Sequence, residues 1–191
     1  AGIFPVFAAG NADTARSQSC SSISSPGDYP DVVAVGATDS ADTVANFSLL
    51  GPAADGRLKP DFVAPGTHTA GQVGILSAYY PDTTSYRDLQ GTSMAAPHVA
   101  GLVALLWSAN PELIGDYDAT YEILRATALP VSDTRCGDPL GAPNNVYGHG
   151  RIDAYGAVAL ARVDVPWLEL ASTRPAVAAD GSAELEVTLA A

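Results

Sequence analysis

Apolar positions fall in short unbroken runs early in the chain and in one long block in its middle. Ile3–Ala9 is apolar and is closed by Gly10-Asn11, and Val32–Val35 carries no polar alternation. Runs of this kind predict strands of a parallel sheet covered on both faces. Phe62–Ala64 is a third apolar piece, closed by Pro65-Gly66, and Val73–Ala78 predicts one arm of a hairpin. Residues 10–30 are rich in Ser, Gly and Asp and predict a loop. The principal helix is predicted from Ser93 to Ala109, stopping before Pro111. It is apolar on nearly every side and so should be central and buried. Thr92 stands where a hydroxyl can cap it. Pro97 predicts a local distortion, and Gly101, which costs helix propensity, predicts close packing. Further helices are predicted near Ala119–Ala128 and Asp153–Arg162. Strands early and helices late predict an α/β sandwich whose beginning lies outside this sequence.

From residue 164 the pattern becomes alternation at two ends of a Pro and Asp-Gly turn region, which is β-sandwich patterning. Twenty-eight residues cannot close a sandwich. Residues 1–163 are therefore read as one domain, and 164–191 as the start of an immunoglobulin-like module or a terminal hairpin.

Charge narrows the partners. Among 191 residues, 21 are acidic and 9 basic, a formal charge of -12. No basic footprint exists for nucleic acid, and an anionic membrane surface is disfavoured for the same reason. The stretch Val99–Trp107 is far shorter than the roughly 20 residues that cross a bilayer. Cys20 and Cys136 have no metal-ligand or dithiol spacing. They are either isolated thiols or a long-range disulfide, and their loop-like surroundings favour the disulfide, hence an exported protein.

Ser93 is the candidate nucleophile on physical grounds. It opens an apolar helix, so its Oγ and backbone N–H lie at the positive end, where an oxyanion is stabilised. Around it, GTSMAAPHVAG at 91–101 resembles the nucleophile signature of the subtilisin-like serine proteases, the subtilases. AAGN at 8–11, VVAVGATD at 32–39, ANFS at 45–48, KPDFVAPG at 59–66 and YGHGRIDAYGAV at 147–158 resemble further blocks of that family in the same order.

The resemblance implies a three-layer α/β sandwich with a mostly parallel sheet, here without its N-terminal part, and a serine endopeptidase acting on protein or peptide substrates. Carried onto this sequence, it makes Ser93 the nucleophile and Asn11 the side-chain donor to the oxyanion, with the Ser93 N–H as second donor. Ala8, Ala9 and Gly10 would form a wall of the primary specificity pocket, open to a sizeable apolar residue. It also implies that Cys20 and Cys136 are joined, and that the protein is secreted. No cofactor is required for the chemistry; structural calcium is compatible with the family, at sites the sequence does not specify. The acidic pairs Asp28/Asp31 and Asp82/Asp88 lack EF-hand spacing and read as solvated surface.

The family's Asp and His precede the oxyanion Asn, so both are expected from an N-terminal part of the catalytic domain outside this sequence. None of His68, His98 and His149 matches the catalytic base. His98 is five residues after Ser93, about 140° around a helix, and the resemblance makes it a packing residue. Without a base a serine hydroxyl is a poor nucleophile, so the isolated chain is expected to be inactive. The alternative is a non-catalytic subtilase-fold binding module.

Overall fold

A computed structural model describes residues 2–13, 17–68, 74–141 and 143–162 in full, with the backbone alone of 168–170 and 187–189. Its centre is a parallel sheet in the order β1 (Val6–Ala8), β2 (Val33–Thr38), β3 (Phe62–Pro65). Val6 pairs with Val33 and Ala8 with Val35, then Val35 with Phe62 and Thr38 with Pro65. All six residues of β2 are buried, as expected of a strand with neighbours on both edges and both faces.

Alternation divides the sheet. Val33, Val35, Ala37, Phe62 and Ala64 join the helix α1 (Thr92–Ala109) in the main core. Val63 points the other way, into a smaller cluster with Val44, Leu50, Val146 and Tyr147. Among the described residues that second face is covered by irregular chain, while the helices α2 (Tyr117–Thr127) and α3 (Ala154–Ala161) pack beside α1.

α1 buries Ala95, Val99, Leu102, Val103, Leu106 and Ala109, one face at helical spacing, against all three strands. It is long and apolar enough to cross a bilayer by composition, but here it is the helix on which the sheet packs. Two expectations for it are corrected. Its opposite face, including Ser93, Pro97, Ala100 and Leu105, is not buried, so the helix is not covered all round. Gly101 lies on that open face, and a Cβ added to it would meet nothing within 4 Å among the described residues, which offer no close packing there. Pro97 lies inside the helix, which continues past it.

The hairpin of β4 (Ile75–Ala78) and β5 (Tyr86–Leu89) leads directly into α1. The disulfide Cys20–Cys136, with Cα atoms 5.4 Å apart, ties the loop after β1 to the segment between α2 and α3. Beneath the sheet, the Lys59 ammonium sits 2.7 Å from the Asp61 carboxylate, both buried. Asp61 Oδ2 also accepts the Ala34 N–H, Oδ1 accepts the Tyr121 hydroxyl, and Lys59 donates to the Val32 carbonyl. Hydrogen-bonded on both sides in this way, the buried ion pair locks the start of β3 to β2.

The expectation for 164–191 falls almost wholly outside the described residues. What is described is backbone: β6 (Leu168–Leu170) and β7 (Val187–Leu189), antiparallel.

Candidate active site

Two remote segments meet at the start of α1. β1 ends at Ala8, and Gly10 follows with φ +100°. A Cβ there would collide with the Ser24 hydroxyl and with Leu49, so the turn requires glycine. The turn delivers Asn11 to the helix N-terminus. Its Oδ1 accepts the Thr92 N–H at 2.9 Å and the Thr92 hydroxyl at 3.1 Å, while Thr92 Oγ1 accepts the Gly10 N–H at 3.2 Å.

This corrects the expected cap. Thr92 is the first helical residue, Gly91 is the N-cap, and no side chain caps locally. The orphan Thr92 amide is satisfied instead by a residue 81 positions away in the chain. The buried Thr92 side chain thus holds Asn11 of one segment against the residue that precedes Ser93 in the other.

Fixing Oδ1 also fixes Nδ2, the other branch of the same planar amide. Its position is bracketed by Gly91, whose φ is +149°. A Cβ on Gly91 would lie 3.5 Å from Asn11 Nδ2 and 3.7 Å from the Ser93 backbone nitrogen. Asn11 Oδ1 lies 3.6 Å from the same point, so the Asn11 amide and the Ser93 nitrogen both border the space beside Gly91. Met94 and Ala95 direct their N–H groups to the Gly91 carbonyl, at 3.0 and 3.3 Å. Ser93 itself is exposed in the first turn. Such a pair of fixed donors beside a hydroxyl suits it to stabilising a negatively charged oxygen.

The other predicted positions are separable. Ala8 and Gly10 are half-buried, and Ala9 is fully buried. His68 is exposed, 3.4 Å from the Ser40 hydroxyl. His98 is exposed, with Nδ1 2.8 Å from the Met94 carbonyl, and lines an open groove of about 610 Å³ with Pro65, Leu105 and Arg151. It is thus not the packing residue expected of it. His149 lies against the rings of Phe62 and Tyr121 at the ion-pair end of the sheet, where burial lowers its pKa below the usual imidazole value. None of the three hydrogen-bonds Ser93 among the described residues.

Among the described residues no group of three or more His, Cys, Asp or Glu is placed to hold a metal. Asp82 instead accepts from the backbone and hydroxyls of Thr84 and Ser85, which pulls its carboxyl down to about 2. Sequence reasoning missed the Thr92–Asn11 clasp, since the only local signal, a threonine at a helix start, reads equally well as an ordinary cap.

The profile of the Subtilase family matches residues 1–150. The chain belongs to the subtilase family. It is 41% identical over 158 residues to bacillopeptidase F of Bacillus subtilis (strain 168), covering 83% of this chain and 10% of that protein. Against subtilisin BL of Lederbergia lenta it is 35% identical over 156 residues, covering 82% of this chain and 46% of the relative. Among solved structures, proteases from Pseudoalteromonas arctica superpose with a TM-score of 0.61 at 32% identity, covering 84% of this chain and 43% of theirs. The patellamide maturation protease PatA gives 0.60 at 27% identity, covering 84% and 52%. This subtilase chain therefore spans from a tenth to about half of the length of these relatives. The parallel sheet with its packed helices is the family's α/β fold.

Proposed function

We propose that this chain carries the nucleophile and oxyanion site of a secreted serine endopeptidase acting on proteins or peptides. The observation that supports the reading is that Asn11 Nδ2 and the Ser93 backbone nitrogen both lie within 4 Å of the point a Gly91 Cβ would occupy, beside Ser93. Ser93 Oγ attacks the scissile carbonyl carbon. The carbonyl π electrons move to oxygen, and the resulting oxyanion accepts the two N–H bonds as the tetrahedral intermediate forms. Collapse expels the amine, which takes up the proton the base accepted from Ser93, and leaves an acyl group on Ser93. Water, deprotonated by the same base, then displaces it as the carboxylic acid while Ser93 regains a proton. The base that takes the Ser93 proton, a His oriented by an Asp, comes from the N-terminal part of the catalytic domain. Ala8 and Gly10 contribute to the pocket for the residue before the cleaved bond, with Ala9 beneath them. The chemistry needs no cofactor. The disulfide supports an extracellular location, and residues 164–191 begin a following β module.

Labelling with a fluorophosphonate probe tests this reading. The full-length protein should label at Ser93, and Ser93→Ala should abolish both labelling and peptide hydrolysis. The isolated 191-residue chain should do neither. Asn11→Ala should lower kcat by roughly 10²–10³ with little change in KM, because its donor acts on charge that develops in the transition state. Labelling that survives Ser93→Ala would overturn the assignment.

A further inference from the structure

Asn11 belongs to no regular strand or helix, yet its backbone is gripped on both sides. The Ala12 N–H donates to the Phe47 carbonyl at 2.6 Å, and the Gly10 carbonyl accepts the Leu49 N–H at 3.0 Å. Whatever holds residues 47–49 therefore holds Asn11. The turn at 45–48 is closed by the Ser48 N–H on the Ala45 carbonyl, 2.9 Å. One side of it rests on β2: the Ala45 N–H donates to the Ala37 carbonyl, and the buried Ser48 hydroxyl accepts the Ala37 N–H. On its other side stands Gln18, whose Nε2 donates to the Ala45 carbonyl at 2.9 Å and to the Ser48 carbonyl at 3.0 Å.

We propose that Gln18 is a positioning residue for the oxyanion donor, acting on Asn11 through the 45–48 turn. The proposal rests on the reading of Asn11 given above. Gln18 touches no reacting atom. Its two amide protons meet two carbonyls, a demand that a carboxylate, with acceptors only, cannot satisfy. It is also well anchored itself. Two residues on, Cys20 is tied to Cys136, and the Ser22 and Ile23 N–H groups donate to the Leu50 carbonyl at 2.9 and 3.1 Å. The clamp thus runs from a covalently tethered loop, through one side chain, to the frame around Asn11. Accuracy matters at its far end, because an oxyanion donor acts only within about 2.7–3.1 Å of where the charge will form. A misplacement of about 1 Å can cost on the order of 10²-fold in rate.

The test uses the full-length protein and a chromogenic peptide substrate. Gln18→Glu keeps the shape and removes the donor; Gln18→Leu removes both polar ends. Each is measured alone and combined with Asn11→Ala. We expect kcat to fall about tenfold with KM within about twofold, part of the 10²–10³ that removing a donor costs. In the Asn11→Ala background no further fall is expected, since the group that Gln18 positions is gone. Unchanged kcat in both single variants, or the same fall in both backgrounds, would overturn the proposal. If activity survives Ser93→Ala, the protease reading fails separately. The clamp is then read by amide hydrogen exchange at Ala12 and Leu49: faster exchange in both Gln18 variants supports it, and unchanged exchange overturns it.

Discussion

Replacing Thr92 by valine removes one hydroxyl from a fully buried position while preserving its shape. Two bonds go with it, the 3.1 Å donation to Asn11 Oδ1 and the 3.2 Å acceptance from the Gly10 N–H. The first loss costs about 0.5–1.5 kcal/mol, and a Gly10 N–H left without an acceptor about 1–3 kcal/mol. Their sum, about 1.5–4.5 kcal/mol, is a substantial part of the roughly 5–15 kcal/mol that stabilises a typical domain. Asn11 keeps the 2.9 Å bond from the Thr92 backbone, so its amide loses one of two anchors and is loosened rather than released. The catalytic effect should therefore be smaller than deletion of Asn11, about tenfold in kcat against 10²–10³. Thr92→Ser retains the hydroxyl and should recover most of both. The measurements are urea denaturation midpoints and kcat and KM for a peptide substrate in the full-length protein. If Thr92→Val matches the parent in both, or if Thr92→Ser is as damaging as valine, the hydroxyl is not what joins the two segments.

Lys59→Met should destabilise by about 3–5 kcal/mol, because Asp61 is left as a buried charge without its partner; equilibrium denaturation checks this. His149 is held neutral, chiefly by burial and also by the nearby Arg125 against the opposing pull of Asp61 and Glu122, so its folded pKa lies below the ordinary imidazole value near 6.5. The unfolded chain then takes up a proton first as pH falls. Its contribution to stability is complete above the ordinary value and declines as pH drops from there toward the folded pKa. His149→Gln should flatten the stability slope as pH falls below the ordinary imidazole value of about 6.5; an unchanged slope would assign it to other groups. Replacing both Cys20 and Cys136 by Ala should lower stability by about 5 kcal/mol in the chain-entropy estimate for a separation of 116 residues, read as a shift in denaturation midpoint.

Hydrophobic runs located β2, β3 and the three helices to within a few residues, because a parallel strand or packed helix needs apolar side chains at most of its buried positions. β1 is shorter than the run Ile3–Ala9 that announced it; Ile3 is exposed and Phe7 partly so. The same logic misjudged α1, whose apolar outward face is open among the described residues. Composition records what a surface can bury, not whether a neighbour is present. Ser93 and Asn11 were legible as residues, through the motifs around them. Their geometry was not. It depends on Thr92, Gly91 and the 45–48 turn, which act through contacts between segments up to 81 positions apart. Gln18 gave no signal at all, since a lone glutamine in a Ser-rich stretch reads as solvated loop.

The Cys20–Cys136 bond has a further consequence for how the chain responds to a cut. Every described element from β2 through α2 lies inside the loop it closes, Ser93 included. A single cut within that loop, for example at the exposed Tyr80 by the tip of the hairpin, leaves the two resulting pieces linked and each still seated on its half of the core. Releasing a fragment from inside takes two cuts, or one cut and a reductant. Nicking and loss of structure are thereby uncoupled, so a nicked molecule would run as one species on a non-reducing gel and as two after reduction.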